Sequence, residues 1–203
     1  SLILLKHYGA RTQENFSLSQ EQFKPAGAFG NLPEAIRGWG GIVGMGSSDM
    51  RFRPRFLALE VVNKVSGGDL VETIHSGADP KFSVTNRFGA GYGPSKNPKE
   101  MTVSDVPRIS SYAFSDGKRR GLVLVSNDPR NAQPITLRFP GAVVAGSGRA
   151  WYLESPDIQS TNERDWAPEG PQVSIVEREI PVTSGMSLML PPANVMAISW
   201  EIE

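Results

Sequence analysis

The period of apolar and polar positions changes once along this chain of 203 residues, and the change falls at Gly67-Gly68. Before it, Phe52, Phe56, Leu57, Leu59, Val61, Val62 and Val65 recur at helical spacings, as a helix with a wide apolar face requires. The spacing predicts a helix over 52–66. Ser47, Ser48 and Asp49 stand where a helix starts, Pro54 suits its first turn, and the glycine pair stops it. After Gly68 the period is 2. It predicts strands over 70–75, 81–85, 108–114, 121–126, 134–139, 149–154, 172–179, 186–190 and 195–202. Turn residues separate many of them, and Ser115-Asp116-Gly117-Lys118 between two apolar runs marks a hairpin. Short strands at this spacing with no helix between them form an antiparallel sandwich or barrel.

The first third is less regular. Residues 1–8 read as the end of a helix that is apolar on most sides, with Gly9 at its cap. Residues 11–20 alternate as a strand, 24–38 are a loop rich in glycine and proline, and 39–46 are an apolar run broken by glycines. Residues 86–107 hold glycine, proline and lysine with little periodicity, which predicts a long exposed loop. One helix, a helix end and one or two strands cannot close a core, so residues 1–66 need cover from elsewhere. The chain therefore reads as a fragment that opens inside a buried element.

Composition removes several functions. Lys plus Arg equals Asp plus Glu, 21 each, and a nucleic-acid binder needs a basic excess, so no nucleic-acid partner is expected. No window approaches the ~18 consecutive apolar residues of a membrane-spanning helix, and no membrane partner is expected. The absence of cysteine excludes disulfides, thiolate zinc sites and a cysteine nucleophile, and His7 and His75 are too few for a histidine metal centre. No cofactor or metal is expected. Asp116, Asp128, Asp157 and Asp165 are turn aspartates that could offer oxygens to calcium, but their spacing matches no calcium loop. Gly89 to Gly93 lacks the lysine of a phosphate loop, and no Gly-x-Ser-x-Gly elbow occurs. Lys118-Arg119-Arg120 reads as solvated hairpin charge.

The run Trp39-Gly-Gly-Ile-Val-Gly-Met-Gly46, followed by Arg51-Phe-Arg-Pro-Arg-Phe-Leu-Ala-Leu-Glu-Val-Val-Asn63, resembles the last strand region and last helix of certain glycoside hydrolases. These are retaining enzymes with a (β/α)8 barrel and a C-terminal β-sandwich: the α-L-arabinofuranosidase, β-xylosidase and β-glucuronidase/heparanase-like families. Residues 117–127, 152–158, Asn162 and Leu190-Pro191-Pro192 also fit. The resemblance implies a mainly β chain, an antiparallel β-sandwich over 68–203 preceded by the end of a (β/α)8 barrel over 1–67. It implies a carbohydrate ligand and, as partner, the rest of the barrel in the same or a separate chain.

A whole barrel needs ~200 residues or more, and retaining hydrolysis needs two carboxyl groups about 5 Å apart. If residues 11–20 are strand eight, both carboxylates precede Ser1 and this chain carries no catalytic residue. In a second register, 11–16 are strand seven and 39–43 strand eight, with Glu14 as nucleophile and its acid/base partner still absent. Gln13, Asn15, Gln20 and Trp39 fall where the barrel's C-terminal face would be, and amides beside an aromatic ring suit a sugar. Ordinary loop and strand-end residues are the alternative. Two further readings remain: a carbohydrate-binding or adhesion module using Trp151 or Trp166 with the 86–107 loop, and an interaction domain docking through 1–66. Trp151 and its neighbour Tyr152 must point to opposite faces of their strand, so at most one is exposed on a given face.

Overall fold

The computed structural model describes residues 17–20, 41–44, 51–76, 81–88, 99–139, 145–158, 160–162 and 167–202. The expected helix end at 1–8, the loop at 24–38 and the helix-start residues 47–49 lie outside them. The chain is mainly β. Its centre is a six-stranded sheet built from β4 (Asp69–Val71), β7 (Ile109–Asp116), β8 (Arg119–Ser126), β10 (Ala145–Glu154), β11 (Ser174–Thr183) and β13 (Val195–Glu201). The order is β11-β10-β13-β8-β7-β4, and every neighbouring pair is antiparallel.

Alternation along the strands sends consecutive side chains to opposite faces, and both faces of this sheet are covered. On one, Leu122, Leu124, Ala150, Met196, Ile198 and Trp200 meet Leu137 and Leu190. Leu190 belongs to a two-stranded antiparallel layer of β9 (Gln133–Thr136) and β12 (Ser187–Leu190). On the other, Phe114, Val123, Trp151, Val195 and Ala197 meet Val61, Val62 and Val65. The first two valines lie on α1 (Pro54–Asn63), the single helix among the described residues. Coverage on both sides explains the nearly unbroken apolar runs of β8 and β13 in the middle of the sheet.

The helix is shorter than expected. Its first residue is Pro54, whose fixed φ and missing N–H suit that position. Arg51 and Phe52 instead form β3 (Arg51–Phe52). They pair antiparallel with β2 (Gly41–Gly44), which runs parallel to β1 (Ser17–Gln20). No side chain caps the helix, so packing holds it. Gly121 permits that packing: a Cβ there would lie 2.4 Å from the Val65 carbonyl oxygen.

One further expectation holds and another changes. The hairpin at 115–118 forms with a two-residue loop, Asp116 facing Arg119 and Gly117 at φ +56°, as a type II′ turn demands. Of the loop expected over 86–107, residues 89–98 lie outside the described residues, and on either side of them the chain is strand, β5 (Lys81–Phe88) paired with β6 (Lys99–Pro107). A bulge hid it: Phe82 faces Val106 but Val84 faces Val103, and Asp105 takes φ +60°. An extra residue on one strand destroys the period of 2 that reveals strands. At the far rim, β11 is an edge strand with Glu177, Arg178, Glu179 and Pro181 exposed.

Candidate functional site

Gln20 is the one residue of the four sugar-contact candidates that falls within the described chain; Gln13, Asn15 and Trp39 lie outside it, as does Glu14. Gln20 ends β1 and stands in register with Gly44, which ends β2 and faces Arg51 of β3. Because β1 and β2 are parallel, both finish on the same side. Gln20, Gly44 and Arg51 thus form one row across the C-terminal ends of two parallel strands, the side on which parallel α/β sheets place their ligands.

The sandwich grips this row. Arg51 Nη1 donates to the Ala167 carbonyl at 2.6 Å. Asn162 Nδ2 donates to the Phe52 carbonyl at 2.9 Å and to the Val173 carbonyl at 2.8 Å, while its Oδ1 accepts from the Val173 N–H at 2.8 Å. Asn162 is only 3% exposed, so these bonds are made out of competition with water and their loss would leave buried polar groups unpaired. Phe52 stacks on Phe56, ring centroids 4.3 Å apart. Neither Arg51 nor the buried position of Asn162 is singled out by sequence reasoning. An asparagine in a long inter-strand loop looks like turn chemistry, and only its 3% exposure shows otherwise.

Trp151, one of the two tryptophans weighed for a carbohydrate-binding alternative, offers no platform. Trp151 is 7% exposed, packed against the helix side of the sheet. Tyr152 points the other way, as alternation requires, with the Arg178 guanidinium 5.3 Å from its ring centre. Trp166 lies outside the described residues. His75 Nε2 meets Ser111 Oγ at 2.6 Å on the surface. Lys118 sits in the turn, and its neighbours in the basic run serve the local fold. Arg119 bonds the Ser199 hydroxyl and the Lys64 carbonyl, and Arg120 bonds the Gly117 and Arg119 carbonyls.

Asp128 is buried and serves the protein's own backbone. Its Oδ1 accepts from the N–H groups of Arg130 and Asn131 at 2.9 and 3.1 Å, and its Oδ2 from Gln133 Nε2 at 3.0 Å and from Arg108 Nη1. The Arg130 N–H is the largest of the influences that hold its pKa at about 2, below the ordinary 3.8; bonds from Asn131 and the Arg108 charge add to it, and burial opposes it. Asp165 lies outside the described residues. Among those described, no three His, Cys, Asp or Glu side chains gather as metal ligands, and no helix is long and apolar enough to cross a membrane.

No protein-family model matches the sequence, and no curated protein does. Solved structures do. An α-L-arabinofuranosidase from Thermotoga maritima, in complex with arabinose, superposes with a TM-score of 0.67 over 79% of this chain at 20% identity. The fold is shared. A thermostable GH51 α-L-arabinofuranosidase from Thermotoga petrophila RKU-1 gives 0.65 over 79% at 21% identity. The GH51 arabinofuranosidase of Xanthomonas axonopodis pv. citri gives 0.55 over 81% at 13%. The alignments cover 31%, 31% and 29% of those enzymes, so this chain spans under a third of their length.

Proposed function

We propose that this chain is the C-terminal part of a glycoside hydrolase, a β-sandwich joined to the end of a (β/α)8 barrel, which supports catalytic elements it does not itself contain. The observation that carries the reading is the shared fold with α-L-arabinofuranosidases over about four-fifths of the chain, 79% in the Thermotoga maritima case. The parallel pair β1 and β2 followed by α1 supports it from within, since parallel strands leading to a helix are the repeating unit of such a barrel. That pairing favours the second register, in which the strand before residue 21 is strand seven and 39–43 is strand eight. Glu14, the nucleophile candidate of that register, lies outside the described residues, and its acid/base partner belongs to the remaining barrel in either register.

Hydrolysis with retention needs a carboxylic acid and a carboxylate about 5 Å apart; the acid/base is assigned to the remaining barrel in both registers, and the nucleophile as well where 11–20 are strand eight. The role proposed for this chain is to close the barrel and to present Gln20 toward a sugar hydroxyl. Its partners are accordingly a saccharide and the rest of the barrel, with no nucleic acid or membrane in the reading. Of the binding-module alternative, Trp151 is buried, while Trp166 and residues 89–98 of its loop lie outside the described residues.

The test is complementation. This chain, co-expressed with a polypeptide carrying the other barrel strands and two glutamates, is expected to form a stable complex that releases nitrophenol from an aryl α-L-arabinofuranoside or another aryl glycoside. Failure of the two polypeptides to associate, or an associated complex inert on the whole glycoside panel, overturns the reading.

A further inference from the structure

Gln20, Gly44 and Arg51 lie in register across β1, β2 and β3. A short sheet of three strands, two to four residues each, has little to fix its place. Its described ties are the Phe52 ring stacked on Phe56 of α1 and two polar ones from the sandwich: the Phe52 carbonyl held by Asn162, and the Arg51 guanidinium held by the Ala167 carbonyl. Asn162 is itself fixed by a reciprocal pair of bonds with Val173, both 2.8 Å, which leads directly into β11 at Ser174. One side chain therefore ties the rim of the large sheet to the strand that frames the candidate site.

We infer that Asn162 is a positioning residue, transmitting the rigidity of the sandwich through β3 and β2 to the strand end that carries Gln20. This rests on the reading of that strand end as part of a saccharide site. A second buried asparagine supplies an internal control. Asn194 makes the same kind of reciprocal pair, Nδ2 to the Leu153 carbonyl at 2.7 Å and Oδ1 from the Leu153 N–H at 3.3 Å, but wholly inside the sandwich. The two side chains are alike in chemistry and burial, 3% and 8% exposed, and differ in what they connect.

Hydrogen exchange on the 203-residue chain separates positioning from plain stability. Asn162→Ala is expected to speed amide exchange about tenfold or more in 41–44 and 51–53, and also in 17–20, two strands away from the lost bond, while β8 and β13 keep their protection. Asn194→Ala is expected to lower the melting temperature without that selective effect. Arg51→Met, which removes the neighbouring tie from a less buried position, should reproduce the first pattern in weaker form and covers the case in which Asn162→Ala does not fold. The inference is overturned if 17–20 exchanges no faster in either N-terminal-tie variant than in Asn194→Ala, or if protection falls uniformly. This outcome is read without any enzymatic activity, so it stands or falls separately from the complementation experiment.

Discussion

Asp128 shows how a turn aspartate can be committed to structure. In the sequence it stands before Pro129, as aspartates in turns often do, and it shares with three others the chemistry of a cation ligand. In the fold its two oxygens are taken by backbone and side-chain donors of residues 130–133 and by Arg108. The pKa of about 2 turns this into a statement about acid stability. A folded-state value below the ordinary 3.8 means that the folded chain resists protonation at this site more than the unfolded chain does. Its contribution is thus complete above about pH 4 and disappears as the pH falls toward 2. Urea titrations across that window should show stability declining in the parent, and declining less in Asp128→Asn. An identical slope in the two would contradict the assignment. Residue roles of this kind were only half legible. The opposed directions of Trp151 and Tyr152 follow from strand geometry alone, whereas which of them is buried depends on α1 lying over the odd-numbered positions.

At the scale of elements, helix and strands were legible wherever one periodicity ran uninterrupted. The 115–118 hairpin and strands β7, β8 and β13 were read almost to the residue. The reading failed where two constraints meet. Phe52 fits the helical spacing, yet pairing with Val43 draws it into β3, and the chain reaches helical geometry only at Pro54. β5 was read over 81–85, but between Phe82 and Val106 the bulge broke the alternation that would have exposed β6. The contact between helix and sheet is equally sharp at Gly121, where any side chain meets the Val65 backbone. Gly121→Ala is expected to cost about 2 kcal/mol, the usual scale for overpacking, read as a lower denaturation midpoint at unchanged slope. A substitution without effect would mean that the helix end can move aside. The β5–β6 ribbon makes the opposite prediction. Among the described strands β5 and β6 pair only with each other, so replacing 82–106 by a short turn should leave the melting transition cooperative and the sheet spectrum intact. Loss of cooperative melting would show that the ribbon belongs to the core.

For the whole molecule, the mainly β class and the single strong helix were visible in the pattern of apolar positions, because the sandwich makes most of its core from its own strands. The order β11-β10-β13-β8-β7-β4 was not, since periodicity carries no record of which strand finds which. Beside Gln20 the tie from Asn162 was not legible, because it runs between residues more than a hundred positions apart; Gln13, Asn15 and Trp39 lie outside the described residues.

The outer rim of the large sheet has a consequence of its own. A free strand of ten residues is an open invitation to stack copy upon copy. Along β11 the exposed Glu177, Arg178 and Glu179 set desolvation against that stacking, and Pro181 offers no N–H to a newcomer. Fibrillar growth is thereby discouraged at this border, which leaves the sandwich free to present its other surfaces without recruiting its own kind.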